Sequence, residues 1–179
     1  MVTDTVRARA IAEERLADLP HRRAHVRGVA ATAERLVVGL DAVDADAVVT
    51  AAWLHDVGYA TSVRSTGFHP IDGAVFVRDE GFSAVVVSLV AYHTGAVFEA
   101  RERGLSDALA EFTEPPPLLL DLLTCADMTT SPQGSRVRAE DRISEILSRY
   151  PDGDPVHRAI ERAAPSLLAA TARVPASAR

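Results

Sequence analysis

The chain has 179 residues, of which 47% are hydrophobic and 25% charged, values typical of one soluble globular domain with a sizeable core. Its net charge of −6 argues against nucleic-acid polymers as partners, because they favour basic surfaces. The single cysteine, Cys125, excludes an intrachain disulfide and a cysteine-rich zinc cluster, and the absence of lysine excludes a catalytic lysine. No apolar run approaches ~20 residues and no signal-peptide pattern opens the chain, so we expect no membrane partner and a cytoplasmic location.

Apolar residues recur at three- and four-residue steps along most of the chain, a period typical of helices. The first such face begins at Pro20, and Asp44 or Asp46 is expected to cap the next helix, which should end at Gly58. Val85-Val86-Val87 favours a strand by propensity, but no partner strand is evident. Further helices are predicted over 70–79, 82–93, 105–112, 118–129, 136–150 and 154–173.

These helices predict an all-α, single-domain bundle over 1–174. Its core should lie at about 20–131 and its C-terminal helices at 136–173. The segment 175–179 is expected to be a disordered tail.

The dipeptide His55-Asp56 follows the apolar stretch Ala51-Ala52-Trp53-Leu54. Two adjacent ionisable groups at the end of a buried helix cost free energy unless something compensates them. A divalent metal is the usual compensation for a histidine beside a carboxylate. The dipeptide therefore indicates a metal site.

Other metal-ligand candidates lie on the predicted inner faces of helices. His55, His93 and Asp127 each continue an apolar face, and His25 lies at the edge of another, one turn after Arg22. His69 precedes Pro70 at a helix start, where its side chain is free to turn inward. A single histidine on an apolar face is more often a hydrogen-bonded core residue, but an unpaired buried carboxylate such as Asp127 is costly.

Together these side chains predict one metal cluster assembled from several helices. Imidazole and carboxylate ligands suit Mn, Fe, Ni, Co or Zn and do not select among them.

The order His25, His55-Asp56 and Asp127 resembles the HD superfamily of metal-dependent phosphohydrolases, which is named after that dipeptide. The local sequences AAWLHDVG (51–58), GFHPIDGA (67–74) and Ala126-Asp127 fit as well, and the resemblance covers roughly Arg22 to Ser131. It implies an HD-type bundle with the metal site between its central helices.

The resemblance also implies a ligand set. His25, His55, Asp56 and Asp127 would bind one metal ion. Members with two metals add two histidines, and His69 and His93 match their order, which favours a dinuclear site bridged by Asp56. Tyr59 departs from the pattern, because many dinuclear phosphodiesterases have lysine there, and the Gly-Tyr-Pro signature of the cyclic-dinucleotide branch is absent. The substrate is therefore not inferred from that branch.

The predicted activity is hydrolysis of a phosphate mono- or diester of a nucleotide or small metabolite by a metal-activated water. Asp56 would act through the metals, and His69 is our candidate for protonating the leaving group. Arg22, Arg23 and Arg64 are the candidates for binding the phosphoryl oxygens. Asp72 either orients a ligand imidazole or caps its own helix.

Two other functions remain open. One is a di-iron oxygenase, because the superfamily includes enzymes such as myo-inositol oxygenase that resemble this six-ligand pattern. The other is a non-catalytic regulatory module that binds a nucleotide in the same pocket. Iron content with oxygen consumption would favour the first, and tight nucleotide binding without turnover the second.

Overall fold

The computed structural model describes residues 3–175 and contains ten α-helices there, with no β-strand among them. Thr130 and Arg136 form one isolated β-bridge. The all-α prediction is confirmed. Except for Pro175, the predicted disordered tail lies outside the described residues. The helices are α1 (Asp4–Arg15), α2 (Pro20–Leu36), α3 (Ala42–Leu54), α4 (His69–Asp79), α5 (Ala84–Tyr92), α6 (Ala96–Arg103), α7 (Ser106–Leu109), α8 (Pro117–Met128), α9 (Ala139–Arg149) and α10 (Pro155–Arg173).

Helix α3 is the centre of the bundle and packs against α1, α2, α5 and α8. Nearly every residue of its second half is buried, as expected for a helix surrounded by others. Asp41 caps it, accepting hydrogen bonds from the backbone N–H groups of Val43 and Asp44 at 3.0 and 3.1 Å. The prediction of Asp44 or Asp46 as the cap was wrong, because the backbone is already helical at both positions.

Helix α3 ends at Leu54, four residues before the predicted end at Gly58. A 3-10 turn at Val57–Tyr59 follows and brings the chain against the start of α4. Gly58 permits this approach, because a Cβ atom there would lie only 2.0 Å from the carbonyl oxygen of His69. The turn therefore places His69 beside the end of α3.

The residues Val85-Val86-Val87 lie in α5 and not in a strand. Ser83 caps this helix, and burial against α3 and α4 outweighs the strand propensity of valine. Helices α1 and α6 were not predicted from the sequence. The buried face of α1 is formed by Ala8 and Ala12 before Leu16, and small alanines give little periodic signal.

Helices α9 and α10 form what we call the C-terminal layer. A second hydrophobic cluster lies beneath it and includes Met128, Ile143, Ile146 and Leu167. The larger cluster fills the space between α1, α2, α3, α4, α5 and α8. The layer packs on α6 and α8, so it lies beside the ends of the helices that contribute the predicted metal ligands.

Candidate metal centre

The fold brings the six predicted metal ligands together. They come from α2, the end of α3, the start of α4, the end of α5 and the end of α8, and five of them are buried, with His69 partly exposed. We call them the ligand cluster: His25, His55, Asp56, His69, His93 and Asp127.

One half of the ligand cluster surrounds Oδ2 of Asp56. His55 Nε2 lies 3.5 Å and His25 Nε2 4.0 Å from that oxygen. Asp127 Oδ1 lies 2.9 Å from His25 Nε2. His25, His55 and Asp56 thus offer ligand atoms close enough to share one ion, with Asp127 adjacent.

The other half surrounds Oδ1 of the same carboxylate. His69 Nε2 lies 3.5 Å and His93 Nε2 4.0 Å from it, and the two nitrogens lie 3.1 Å apart. Asp56, His69 and His93 form a second group that could hold an ion. Asp56 belongs to both groups and directs one oxygen into each.

Backbone carbonyls orient three of the imidazoles. The Nδ1 atoms lie 3.0 Å from the Ser131 oxygen for His25, 2.8 Å from the Ala52 oxygen for His55 and 2.7 Å from the Val90 oxygen for His93. A carbonyl oxygen only accepts, so each Nδ1–H donates, and in the neutral form of each ring the lone pair is then on Nε2. That is the tautomer a metal ligand requires.

The separations within the ligand cluster fit metal coordination. Two atoms each ~2.1 Å from one ion lie roughly 3.0 Å apart at right angles and roughly 4.2 Å apart when opposite. The separations given above, 2.9 to 4.0 Å, lie close to or within this range. In addition, His55 is fully buried and its Nε2 has no hydrogen-bond partner among residues 3–175. An unsatisfied buried nitrogen is costly, and a cation would satisfy it.

The carboxylates are held in their charged form. Burial raises the pKa of Asp56, but the charges of Arg22 and the neighbouring histidines outweigh it and hold this pKa well below its usual value. Burial also raises the pKa of Asp127, but the close contact with the His25 imidazole, 2.9 Å away, outweighs that shift, so the pKa is lowered. Asp127 Oδ2 accepts a further hydrogen bond from the hydroxyl of Thr94.

Thr94 has an unusual backbone conformation. Its φ and ψ are 40° and 57°, in the left-handed region that β-branched residues rarely adopt. It directly follows His93, and both residues line the same cavity. Thr94 was not predicted from the sequence, because a single threonine forms no pattern that marks it.

Arg22 and Tyr59 complete one side of the site. Arg22 Nη1 donates to Asp56 Oδ2 at 2.7 Å, and its guanidinium lies 3.9 Å above the Tyr59 ring. The imidazole of His69 also stacks on the Tyr59 ring, with 4.0 Å between the ring centres. Tyr59 thus positions one arginine and one imidazole.

A cavity of about 80 Å³ opens onto the ligand cluster. Of the arginines predicted to bind substrate, Arg22 lines it. Arg64 is exposed and lines a neighbouring groove, and Arg23 is not part of the cavity wall. Of the three arginines, only Arg22 has its side chain directed towards Asp56.

The sequence analysis missed two arginines that line the cavity, Arg142 and Arg149. Both belong to α9 and lie seven residues apart, with Ile146 between them on the same helical face. The predicted helix over 136–150 already implied that face. What the sequence did not indicate is that this face covers the ligand cluster.

Asp72 neither orients a ligand imidazole nor caps its own helix, the two roles expected from the sequence. Its carboxylate accepts hydrogen bonds from the backbone N–H groups of Thr66 and Gly67 at 2.8 and 3.0 Å, and from the Thr66 hydroxyl at 2.7 Å. It therefore fixes the loop that precedes His69, and positions that ligand through the backbone.

The HD domain family model matches residues 22–131, which is 110 of the 179 residues. The chain therefore belongs to the HD domain family, whose superfamily comprises metal-dependent phosphohydrolases. No curated protein and no solved structure shows significant similarity to it. No helix within residues 3–175 combines the length and apolarity needed to cross a membrane.

Proposed function

We propose that the protein is a metal-dependent phosphohydrolase with a dinuclear site. The observation that carries this proposal is the position of Asp56, whose two oxygens face two separate histidine groups beside one cavity. His25, His55 and Asp127 would hold one ion together with Asp56, and His69 and His93 would hold the other. When bound, a pair of divalent ions lowers the pKa of a coordinated water towards neutrality and supplies Lewis acidity.

Arg22 is the residue that we assign to the phosphoryl group. It lies beside Asp56 and lines the cavity, and a fixed guanidinium there would stabilise negative charge on phosphoryl oxygens in the transition state. Its contact with Tyr59 holds the side chain in place. Arg23 and Arg64 would act only at longer range.

His69 supports the proposal as a ligand better than as a proton donor. Burial lowers its pKa well below the usual value, although Asp56 partly opposes the shift. A histidine with a lowered pKa is neutral near pH 7 and has no spare proton for a leaving group. Stacking against Tyr59 fixes the ring for coordination.

The size of the cavity favours a small substrate. Pockets that accept drug-sized ligands have volumes of roughly 300–1,000 Å³, whereas this cavity has about 80 Å³. A small phosphorylated metabolite therefore fits better than a nucleotide.

The test is hydrolysis by protein loaded with Mn, Co, Ni, Zn or Fe. Substrates are p-nitrophenyl phosphate, its bis ester, small sugar phosphates and a nucleotide panel. We expect turnover of at least one ester, loss of turnover in Asp56→Asn, and wild-type rates in Asp79→Asn, an exposed carboxylate-to-amide control. Failure of every metal form on every ester would contradict the proposal. Two iron ions per chain with oxygen consumption would indicate the oxygenase, and tight nucleotide binding without turnover a regulatory module.

A further inference from the structure

Arg142 is a buried arginine with an unused hydrogen-bond donor. The residue is 6% exposed, and its Nε atom has no partner within the described part of the chain. A guanidinium group carries only donors and no acceptor, so this N–H needs an acceptor from elsewhere. A buried donor without an acceptor costs free energy, and such donors in native proteins call for an explanation.

The location of Arg142 explains its unpaired donor. Its side chain lines the same cavity as His69, His93 and Asp127. A ligand bound in this cavity can therefore reach both the ligand cluster and Arg142. Helix α9 lies outside residues 22–131, which match the HD domain family, so this arginine is an addition to the family core.

The charge around Arg142 also favours an anion. Glu145 accepts hydrogen bonds from Arg142 Nη1 and from Arg149 Nη2 and Nε, the last two at 2.7 and 3.0 Å. One carboxylate thus neutralises only one of two guanidinium charges. A net positive charge remains on the cavity wall formed by α9.

The rest of this wall is largely apolar. Ile146, Val156 and Ile160 from the C-terminal layer line the cavity next to Arg142. A ligand with one strongly anionic group and a small apolar body matches such a wall. A phosphate monoester carries about −1.5 to −2 charge near pH 7 and three terminal oxygens that accept hydrogen bonds.

Building on the proposed function, we infer that the substrate is a small phosphate monoester and that Arg142 Nε–H donates to one of its terminal phosphate oxygens. A diester has one fewer terminal oxygen and about one fewer negative charge with which to satisfy both the metals and the α9 wall. Arg142 is thus a specificity-determining residue for monoesters over diesters.

The test measures binding of inorganic phosphate to the metal-loaded protein by calorimetry, together with kcat and KM for a phosphate monoester and for a phosphate diester. Arg142→Gln should weaken phosphate binding and raise KM at least 10-fold, because it removes a charge-assisted hydrogen bond. Arg142→Lys should restore the binding only in part, since lysine lacks the Nε–H of the planar guanidinium. Arg138→Gln is the matched control, an exposed arginine beside the start of α9 that is not part of this cavity wall, and should bind as wild type.

Glu145→Gln is a second variant, and it should change phosphate affinity in the opposite direction. Removing the carboxylate leaves both guanidinium charges uncompensated, so phosphate should bind more tightly. If Arg142→Gln does not fold, as judged by circular dichroism, Glu145→Gln and Arg142→Lys decide the question.

Wild-type phosphate affinity in a folded Arg142→Gln, or equal KM increases for monoester and diester, would overturn the inference. The proposed function fails separately, if the wild type binds phosphate but hydrolyses no ester. Phosphate binding that depends on Arg142 would then still assign Arg142 to anion binding.

Discussion

The ligand cluster and the C-terminal layer line the same cavity but are built differently. The ligand cluster lies against the larger hydrophobic core, and backbone carbonyls hold three of its imidazoles in one tautomer. The layer covers a smaller hydrophobic cluster and is tied to the bundle by partly exposed ion pairs, such as Arg158 with Glu102 and Arg173 with Asp121.

This difference suggests that the ligand cluster and the C-terminal layer have different roles. The buried half carries the features that a metal site needs, whereas the layer contributes further side chains to the cavity wall, Arg142 and Arg149 among them. The family match, over residues 22–131, covers the ligand cluster but not the C-terminal layer. Family members could therefore share the metal chemistry and differ in substrate through changes in the layer alone.

The largest effect is expected from dividing the ligand cluster. His25→Ala and His93→Ala remove ligands from different groups, so each should lose one of two metal ions per chain and most activity. Asp56→Ala should lose both ions, because its carboxylate serves both groups. Metal content after loading and desalting, measured by mass spectrometry, checks this.

His21→Ala is the control for that experiment, because His21 is an exposed histidine on the same helix as His25. Two ions per chain in folded His93→Ala would show that His93 is not a metal ligand. Only one ion per chain in the wild type, with no further loss in His93→Ala, would mean that the site is mononuclear.

A smaller effect is expected at Thr94, which donates a hydrogen bond to Asp127 but is not itself a ligand. Loss of such an orienting group costs roughly 10–100-fold in metal affinity or activity. Thr94→Val keeps the shape and the β-branching and should show this loss, and Thr94→Ser should restore most of the affinity. Titration with metal in the presence of a competing chelator measures the metal affinity of each variant.

Thr130→Val provides the matched control. Its hydroxyl is also buried, but donates to the Ala126 carbonyl and not to a ligand. An equal loss of metal affinity in both variants would mean that Thr94 acts through general stability.

The sequence was sufficient to predict the helical class, which depends on local periodicity. It also predicted the convergence of six side chains, through periodicity together with the order of ligands that resembles the HD superfamily. His55, His93 and Asp127 each stand where an inward-facing apolar residue would be, which a single sequence displays directly. The ends of helices were less predictable. The end of α3 depends on a 3-10 turn and on the close approach of Gly58 to His69, which involves a contact distant in the chain.

The C-terminal layer was the least predictable part of the site. The periodicity of α9 placed Arg142, Ile146 and Arg149 on one face, but periodicity does not state which surface a face covers. Arg23 and Arg64 were chosen for their nearness in sequence to His25 and to the dipeptide, and nearness in sequence does not fix side-chain direction. Tertiary packing decided both cases.

The smallest effect concerns the stability of the layer in acid. Burial raises the pKa of Glu145, but the hydrogen bond from Arg149 and the charges of both arginines outweigh it, so the pKa is lowered from 4.5. A lowered pKa in the folded state means that the unfolded chain takes up the proton first as pH falls. The stabilisation is therefore complete above about pH 4.5 and is lost as pH falls through the folded-state pKa.

Glu145→Gln should accordingly have a lower melting temperature than the wild type at pH 7, and the gap should close as pH falls towards 3. The carboxylate is 39% exposed, so the gap should correspond to at most about 1 kcal/mol. Glu161→Gln, a substitution at an exposed position of α10, should have the same melting temperature as the wild type at every pH. A gap that persists unchanged to pH 3 would mean that the Glu145 charge does not stabilise the layer, and the ion pairs would then not distinguish it from the buried ligand cluster.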